Sequence, residues 1–279
     1  MEPTPAAVSI QKKPSKANSW LRILLIGFLF YIISVVLLYV TANPNLFPTV
    51  VMIGSFLVPI SYVAFFYERG HLTSNLTLST TLLCFVFGGI LGVLAASLLE
   101  PIFIRKIDFV STIAIGLIEE FTKILGVIII ARHRRHDSEM IGLILGAAAG
   151  MGFAALESMG YAFTSFLASG GSLDQTVAVT LLRGILSPVG HGTWTAILAS
   201  VIFRESRGGH FRINIKVIGA YLLVSVLHGL WDGVPAVITS FLGSGLDVFV
   251  GQAVIGGVGL FILWLRWREA RRLQLEMPE

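Results

Sequence analysis

Apolar residues along the chain fall into runs of about 20, the length a helix needs to cross a hydrocarbon core of roughly 30 Å. Charged residues and Pro, Gly and Asn punctuate these runs, giving spans at 20–41, 46–67, 78–99, 109–131, 140–168, 176–203, 214–241 and 246–267. The pattern predicts an all-α, polytopic membrane protein of about eight transmembrane helices. Residues 1–18, with Pro3, Pro5 and Pro14 and no apolar periodicity, read as a flexible cytoplasmic tail. A single transmembrane helical domain occupies 19–270, and 271–279 form a second cytoplasmic tail. Eight spans at about 22 residues each would leave only about 100 residues for tails and connections, which excludes a soluble catalytic or nucleic-acid-binding domain.

Composition agrees. The 279 residues are 55% hydrophobic and 13% charged, with a mean hydropathy of +0.83, against roughly 25% charged in soluble chains. An isoelectric point near 9.4 would suit nucleic acid, but the basic residues map a topology instead. With the first tail cytoplasmic, the inner side receives Lys12, Lys13, Lys16, Arg22 and Arg69, then Arg132, Arg134 and Arg135. It also receives Arg204, Arg207, Arg212 and Lys216, then Arg266, Arg268, Arg271 and Arg272, against Arg105 and Lys106 outside. Every connection obeys the positive-inside rule, so both termini are expected to be cytoplasmic. A cleaved signal is the competing reading of the N-terminus, with Val40-Thr41-Ala42 as small residues, but the apolar run exceeds the 7–15 residues of a signal. Asn75-Leu76-Thr77 matches a glycosylation sequon yet faces the cytoplasm on this topology. The lone cysteine, Cys84, excludes an intrachain disulfide and a cysteine-rich metal site. Trp20, Tyr67, Trp264 and Trp267 lie near span ends, as interfacial aromatics do. No internal repeat and no matched pair of interrupted spans is visible, the pattern of many secondary transporters.

Ionisable residues inside spans are costly, from about 2.5 to over 10 kcal/mol at the bilayer centre, and so pair, line a cavity or do chemistry. Here they are concentrated in the fourth to seventh spans, the core site helices within 109–241: Glu119, Glu120 and Lys123, then Glu157, then Arg183 and His191, then His228 and Asp232. At about 1.5 Å per residue, Glu120, Glu157, His191 and His228 all lie roughly 17–22 Å from the outer ends of their spans, one polar layer. Lys123 is spaced to reach Glu119 at i+4 or Glu120 at i+3. Adjacent acids point about 100° apart, so one can be held by the lysine while the other faces a cavity. The alternative is a buried structural ion pair. Glu157 is a candidate metal ligand or else a partner of Arg183 or Lys123, in a helix with Gly146, Gly150 and Gly160 that allow close approach. Pro188 frees the carbonyl of Gly184, and glycines flank His191, opening the backbone around it. Arg183, near the outer end, reads as a snorkelling or structurally paired cation. His228 and Asp232 share a helical face, so the acid can fix the imidazole tautomer.

Two imidazoles and a carboxylate are a zinc-binding set, here His191, His228 and Glu157, with an open position where bound water is acidified to a pKa near 7. Glu119 or Glu120 would take the water proton, and Lys123 or Arg183 would stabilise developing negative charge. That chemistry is peptide hydrolysis within a membrane. Competing readings are a metal-independent glutamate protease, a proton- or cation-coupled transporter, and a non-catalytic scaffold.

Four short motifs lie in order over residues 116–232: Glu119-Glu120-x-x-Lys123, Phe153-x-x-x-Glu157, Pro188-Val189-Gly190-His191-Gly192 and His228-x-x-Trp231-Asp232. Together they resemble the PrsW-type intramembrane metalloproteases, within the wider superfamily of CAAX prenyl proteases and bacteriocin-processing membrane enzymes. The resemblance implies a helical bundle in a bacterial plasma membrane and endopeptidase activity with a divalent metal of zinc type. It also implies a membrane-protein substrate, in some members a single-pass anti-sigma factor. It brings Phe153 into the site as a supporting residue. Where the family commonly has Asn after the second-motif acid, this chain has Ser158.

Overall fold

The computed structural model describes residues 18–70, 76–106, 108–132, 138–207, 209–242 and 247–276. Lys12, Lys13, Lys16, Asn75, Arg134, Arg135 and residues 277–279, which carry part of the topology and tail readings, lie outside them. Among the described residues there is no β-strand, only an isolated bridge between Arg207 and His210.

Helices α1 (Ser19–Thr41) and α2 (Leu46–Gly70) are followed by α3 (Leu78–Leu83), a π-helical turn at Cys84–Gly88 and α4 (Gly89–Phe103), which run on as one segment. Then come α5 (Phe109–Ala131), α6 (Glu139–Ala168), α7 (Leu173–Leu186), α8 (His191–Glu205), α9 (Ile215–Leu242) and α10 (Asp247–Glu276). Seven of the eight long segments have the length and apolarity to cross a membrane. The eighth, α5, has 23 residues but carries Glu119, Glu120 and Lys123 in its middle. Each of the eight runs read from the pattern is helical among the described residues, seven of them as candidate spans, and the chain is an all-α, multi-pass integral membrane protein. The last helix continues unbroken past residue 270 to Glu276.

The span read as 176–203 is not one helix. Pro188 cannot donate to Gly184, and the chain turns over residues 187–190 between α7 and α8. The carbonyl that Pro188 leaves free accepts from Ser187 Oγ at 2.9 Å, and Pro188's own carbonyl accepts from Thr193 Oγ1 at 2.7 Å. The break sets His191 as the first residue of α8.

Helix α6 is the axis of the bundle, buried along most of its length. Lipid offers apolar side chains as good a solvent as another helix does, so close backbone approach at small residues must supply the packing. Gly142, Gly146 and Gly150 form such a stripe, and a Cβ at any of them would overlap backbone of α8 at Ala199, Thr195 or His191. Gly160 faces open space and plays no such part. Helices α5 and α9 cross at Gly116 and Gly229, where a Cβ would meet the partner's backbone. Helix α1 is peripheral, with Leu25, Ile26, Leu29 and Phe30 exposed to the lipid side. It is tied to α7 by Tyr31 and Thr180 hydroxyls 2.9 Å apart and by Tyr39 donating to Asp174. At the other end of the bundle, Arg266 of α10 reaches Glu139 of α6 at 2.7 Å and Ser200 of α8 at 3.1 Å.

Replacing Gly150 by Leu forces α6 away from the first turn of α8, an overpacking that costs typically about 1–3 kcal/mol. The expected outcome is a lowered midpoint in a thermal melt of detergent-purified protein followed by tryptophan fluorescence. Gly160→Leu, facing open space, should leave the midpoint in place.

Candidate active site

The site begins with α5. Lys123 Nζ lies 2.9 Å from Glu119 Oε2 and 2.9 Å from Glu120 Oε1, so the lysine holds both acids rather than one. Its third donor reaches His191 Nδ1 at 2.8 Å, and the ammonium sits 4.0 Å from the centre of the Phe153 ring. An ammonium with three acceptors and an aromatic face is fully satisfied, which is what permits a lysine to be 0% exposed here.

The two acids have different surroundings. Glu120 is wholly enclosed: Oε1 takes Lys123 and His228 Nδ1 at 3.1 Å, and Oε2 accepts from Thr195 Oγ1 at 2.9 Å. Glu119 lies on the wall of an open cavity of 690 Å³, shared with Glu157, His191, Arg183, Phe153 and Asp232. Glu120, Lys123 and His228 stand behind that wall. Glu119 Oε2 is 3.8 Å from His191 Nδ1 and 3.5 Å from His228 Nε2.

The imidazole rings lie 4.9 Å apart and nearly perpendicular, and Trp194 stacks on His228 at 4.6 Å. His228 Nε2 is 3.4 Å from Asp232 Oδ2, so the nearer tautomer-setting acid is Glu120 at Nδ1, with Asp232 on the cavity side. Glu157 Oε2 lies 3.0 Å from His191 Nε2 and 2.6 Å from Arg183 Nη2. Arg183 also donates from Nε to Ser158 Oγ at 3.2 Å and stacks over Tyr161 at 4.0 Å. Ser158 thus supplies an acceptor for this guanidinium.

All nine residues singled out from the sequence, Glu119, Glu120, Lys123, Phe153, Glu157, Arg183, His191, His228 and Asp232, therefore gather around one cluster. Their arrangement departs from the sequence expectation at the third ligand and separates the two cations that the sequence left open. The carboxylate that converges with both imidazoles is Glu119, with ligand atoms of Glu119, His191 and His228 all within 4.8 Å of one another. Glu157, expected as the third ligand, is engaged with Arg183 and His191. Of the cations, Arg183 and not Lys123 borders the cavity. The sequence reading missed Thr195 and Trp194, although both follow His191 at helical spacing and so share its face. It also missed Glu100 and Gln252, which bring α4 and α10 into the cavity wall.

By donor chemistry Glu119, His191 and His228 suit a divalent cation, which would share Glu119 and His191 with the Lys123 ammonium. With Nδ1–H given to Glu120, the other face of His228 meets oxygens of Glu119 and Asp232, an electron-rich corner that attracts positive charge.

Lys123→Met removes the shared counter-charge and strands two buried carboxylates, which should cost about 3–5 kcal/mol. Chemical or thermal denaturation in detergent measures it. Neutralising both acids in the same protein (Glu119→Gln, Glu120→Gln, Lys123→Met) should restore much of the loss.

No curated protein and no solved structure matches the chain. The sequence profile of the PrsW family intramembrane metalloproteases matches residues 77–264, well over half of the chain and the whole of the polar cluster. The ordered motifs on α5, α6, α8 and α9, joined at one buried cluster beside an open cavity, and the profile that spans them place this chain in the PrsW family of intramembrane metalloproteases.

Proposed function

We propose that this protease hydrolyses a peptide bond of a membrane-protein substrate in the cavity bounded by Glu119, with Glu119 as the general base. The observation that carries the reading is the placement of Glu119: it is the acid of the α5 pair that faces the cavity, and its Oε2 is the point on which both imidazoles converge. A carboxylate beside a cation and two imidazoles, with access to water, is equipped to take a proton from attacking water and return it to the leaving amine. The water oxygen bonds to the carbonyl carbon, the C–N bond breaks, and the amine leaves with the returned proton. Arg183, on the same wall, is placed to face the negative charge that grows on the carbonyl oxygen.

A divalent ion, zinc by the character of the donors, would be held by His191 and His228 with Glu119 beside it, which leaves that carboxylate for the proton transfer. When bound, such an ion supplies Lewis acidity and a water nucleophile near neutral pH. Lys123 favours a second reading. Its Nζ already occupies the acceptor positions of Glu119 and His191, as a built-in cation would in a metal-independent glutamate protease.

The substrate must reach the cavity from the bilayer and present an extended backbone, because a helix shields its own peptide bonds. Single-pass proteins such as anti-sigma factors suit that requirement. The distribution of basic residues supports an orientation with both termini cytoplasmic.

Glu119→Gln should reduce cleavage of a co-expressed single-pass substrate by at least about 100-fold, the usual span of general-base catalysis. Unchanged cleavage would remove Glu119 from that role. Elemental mass spectrometry of detergent-purified protein should find a near-stoichiometric divalent ion that is lost in His191→Ala and His228→Ala. A protein that cleaves yet holds no ion after reconstitution supports the metal-independent reading. Reporter fusions at the two ends should both report the cytoplasm.

A further inference from the structure

The two histidines are gripped from behind by different acids. Lys123's ammonium has only hydrogens to give, so His191 Nδ1, 2.8 Å from Nζ, must accept. A neutral ring that accepts at Nδ1 carries its hydrogen at Nε2, and that atom lies 3.0 Å from Glu157 Oε2. On the other ring the roles are reversed. Nδ1 of His228 faces Glu120 at 3.1 Å, which leaves Nε2 toward Glu119. The rings therefore turn opposite nitrogens, Nδ1 of His191 and Nε2 of His228, to one carboxylate oxygen.

The grip on His191 has a structural reason to be strong. His191 follows the turn at 187–190, so helical continuity with α7 does not fix its position. Arg183 in the last turn of α7, Glu157 on α6 and His191 at the start of α8 form a chain across that break, with steps of 2.6 and 3.0 Å. The guanidinium is itself immobilised by Ser158 and the Tyr161 ring.

We propose that Glu157 is a positioning residue: clamped by Arg183, its carboxylate accepts from His191 Nε2–H and so fixes the tautomer and direction of a ring that presents Nδ1 to the reacting cluster. The catalytic consequence rests on the role proposed for Glu119, but the tautomer assignment does not.

Selective ¹⁵N-histidine labelling of the full chain in detergent tests it directly. A His191→Ala spectrum identifies the His191 signals among the six histidines. The wild-type ring should be protonated at Nε2 with Nδ1 accepting. Glu157→Met should convert it to a tautomer mixture and lower kcat about 10–100-fold with KM unchanged, the usual effect of losing a partner behind a site imidazole. Glu157→Gln, which keeps an acceptor oxygen, should preserve the Nε2–H pattern and recover most of kcat. Should Glu157→Met fail to fold, Arg183→Met tests the same chain from its outer link, with the same direction expected. A wild-type nitrogen pattern in either of these Met variants would overturn the proposal, whatever its kcat, since Arg183 also faces the cavity. So would a Glu157→Gln protein that loses bound metal as completely as His191→Ala, which would make Glu157 a ligand. The spectrum needs no substrate. If Glu119→Gln cleaves normally, the general-base reading fails while the positioning of His191 remains separately readable.

Discussion

A lysine ammonium with no access to water survives within a membrane only where acceptors replace its hydration shell. Lys123 has such a shell in Glu119, Glu120, His191 and the Phe153 ring, and the rest of the site is arranged around it. One positive charge among two acids leaves the cluster with an excess of acceptors. That excess explains why Glu120 also recruits Thr195 and His228, and why the corner beside Glu119 favours positive charge. The same ammonium links α5 to α8, so the electrostatics that equip the site also hold the two helices in register.

That cluster forms only because the backbones come close. The glycine stripe on α6 lets α8 approach until His191 stands near Lys123, and the Gly116–Gly229 crossing does the same for His228 beside Glu120. In a lipid solvent, burial of apolar surface gives little net drive to association, so contact geometry and polar links must provide it. The break at residues 187–190 adds the one irregular element. It costs backbone hydrogen bonds, partly recovered by Ser187 and Thr193, and it sets His191 at a helix start on the wall of the cavity. Non-helical backbone at this depth is tolerated where it is enclosed by protein or borders a hydrated space.

Much of this was legible in the chain. Each apolar run and each buried charge declares its own solvation energy, so the spans and the polar layer could be read without knowing any contact. Pro188 announced the disturbance at Gly184, though not that α7 and α8 would part as separate helices. The i, i+3 and i, i+4 spacings likewise gave Lys123 its reach to both acids and set Asp232 beside His228, because those distances are fixed within one helix.

Partnerships between helices were not legible in the same way. Whether Glu157 would turn to a metal, to Lys123 or to Arg183 depends on the rotation and depth of α6 against α7 and α8, to within an ångström. No local property of the sequence sets those quantities. The sequence by itself determined a multi-helix membrane protein with acids, imidazoles and cations at one depth, since residue solvation and helical spacing are local. Only the tertiary structure decided that Glu119 faces the cavity while Glu120 is sealed, and that Glu157 holds His191 from behind. The reason is that hydrogen-bond geometry across helices is fixed by packing at Gly146, Gly150 and Gly116 and by the break before His191.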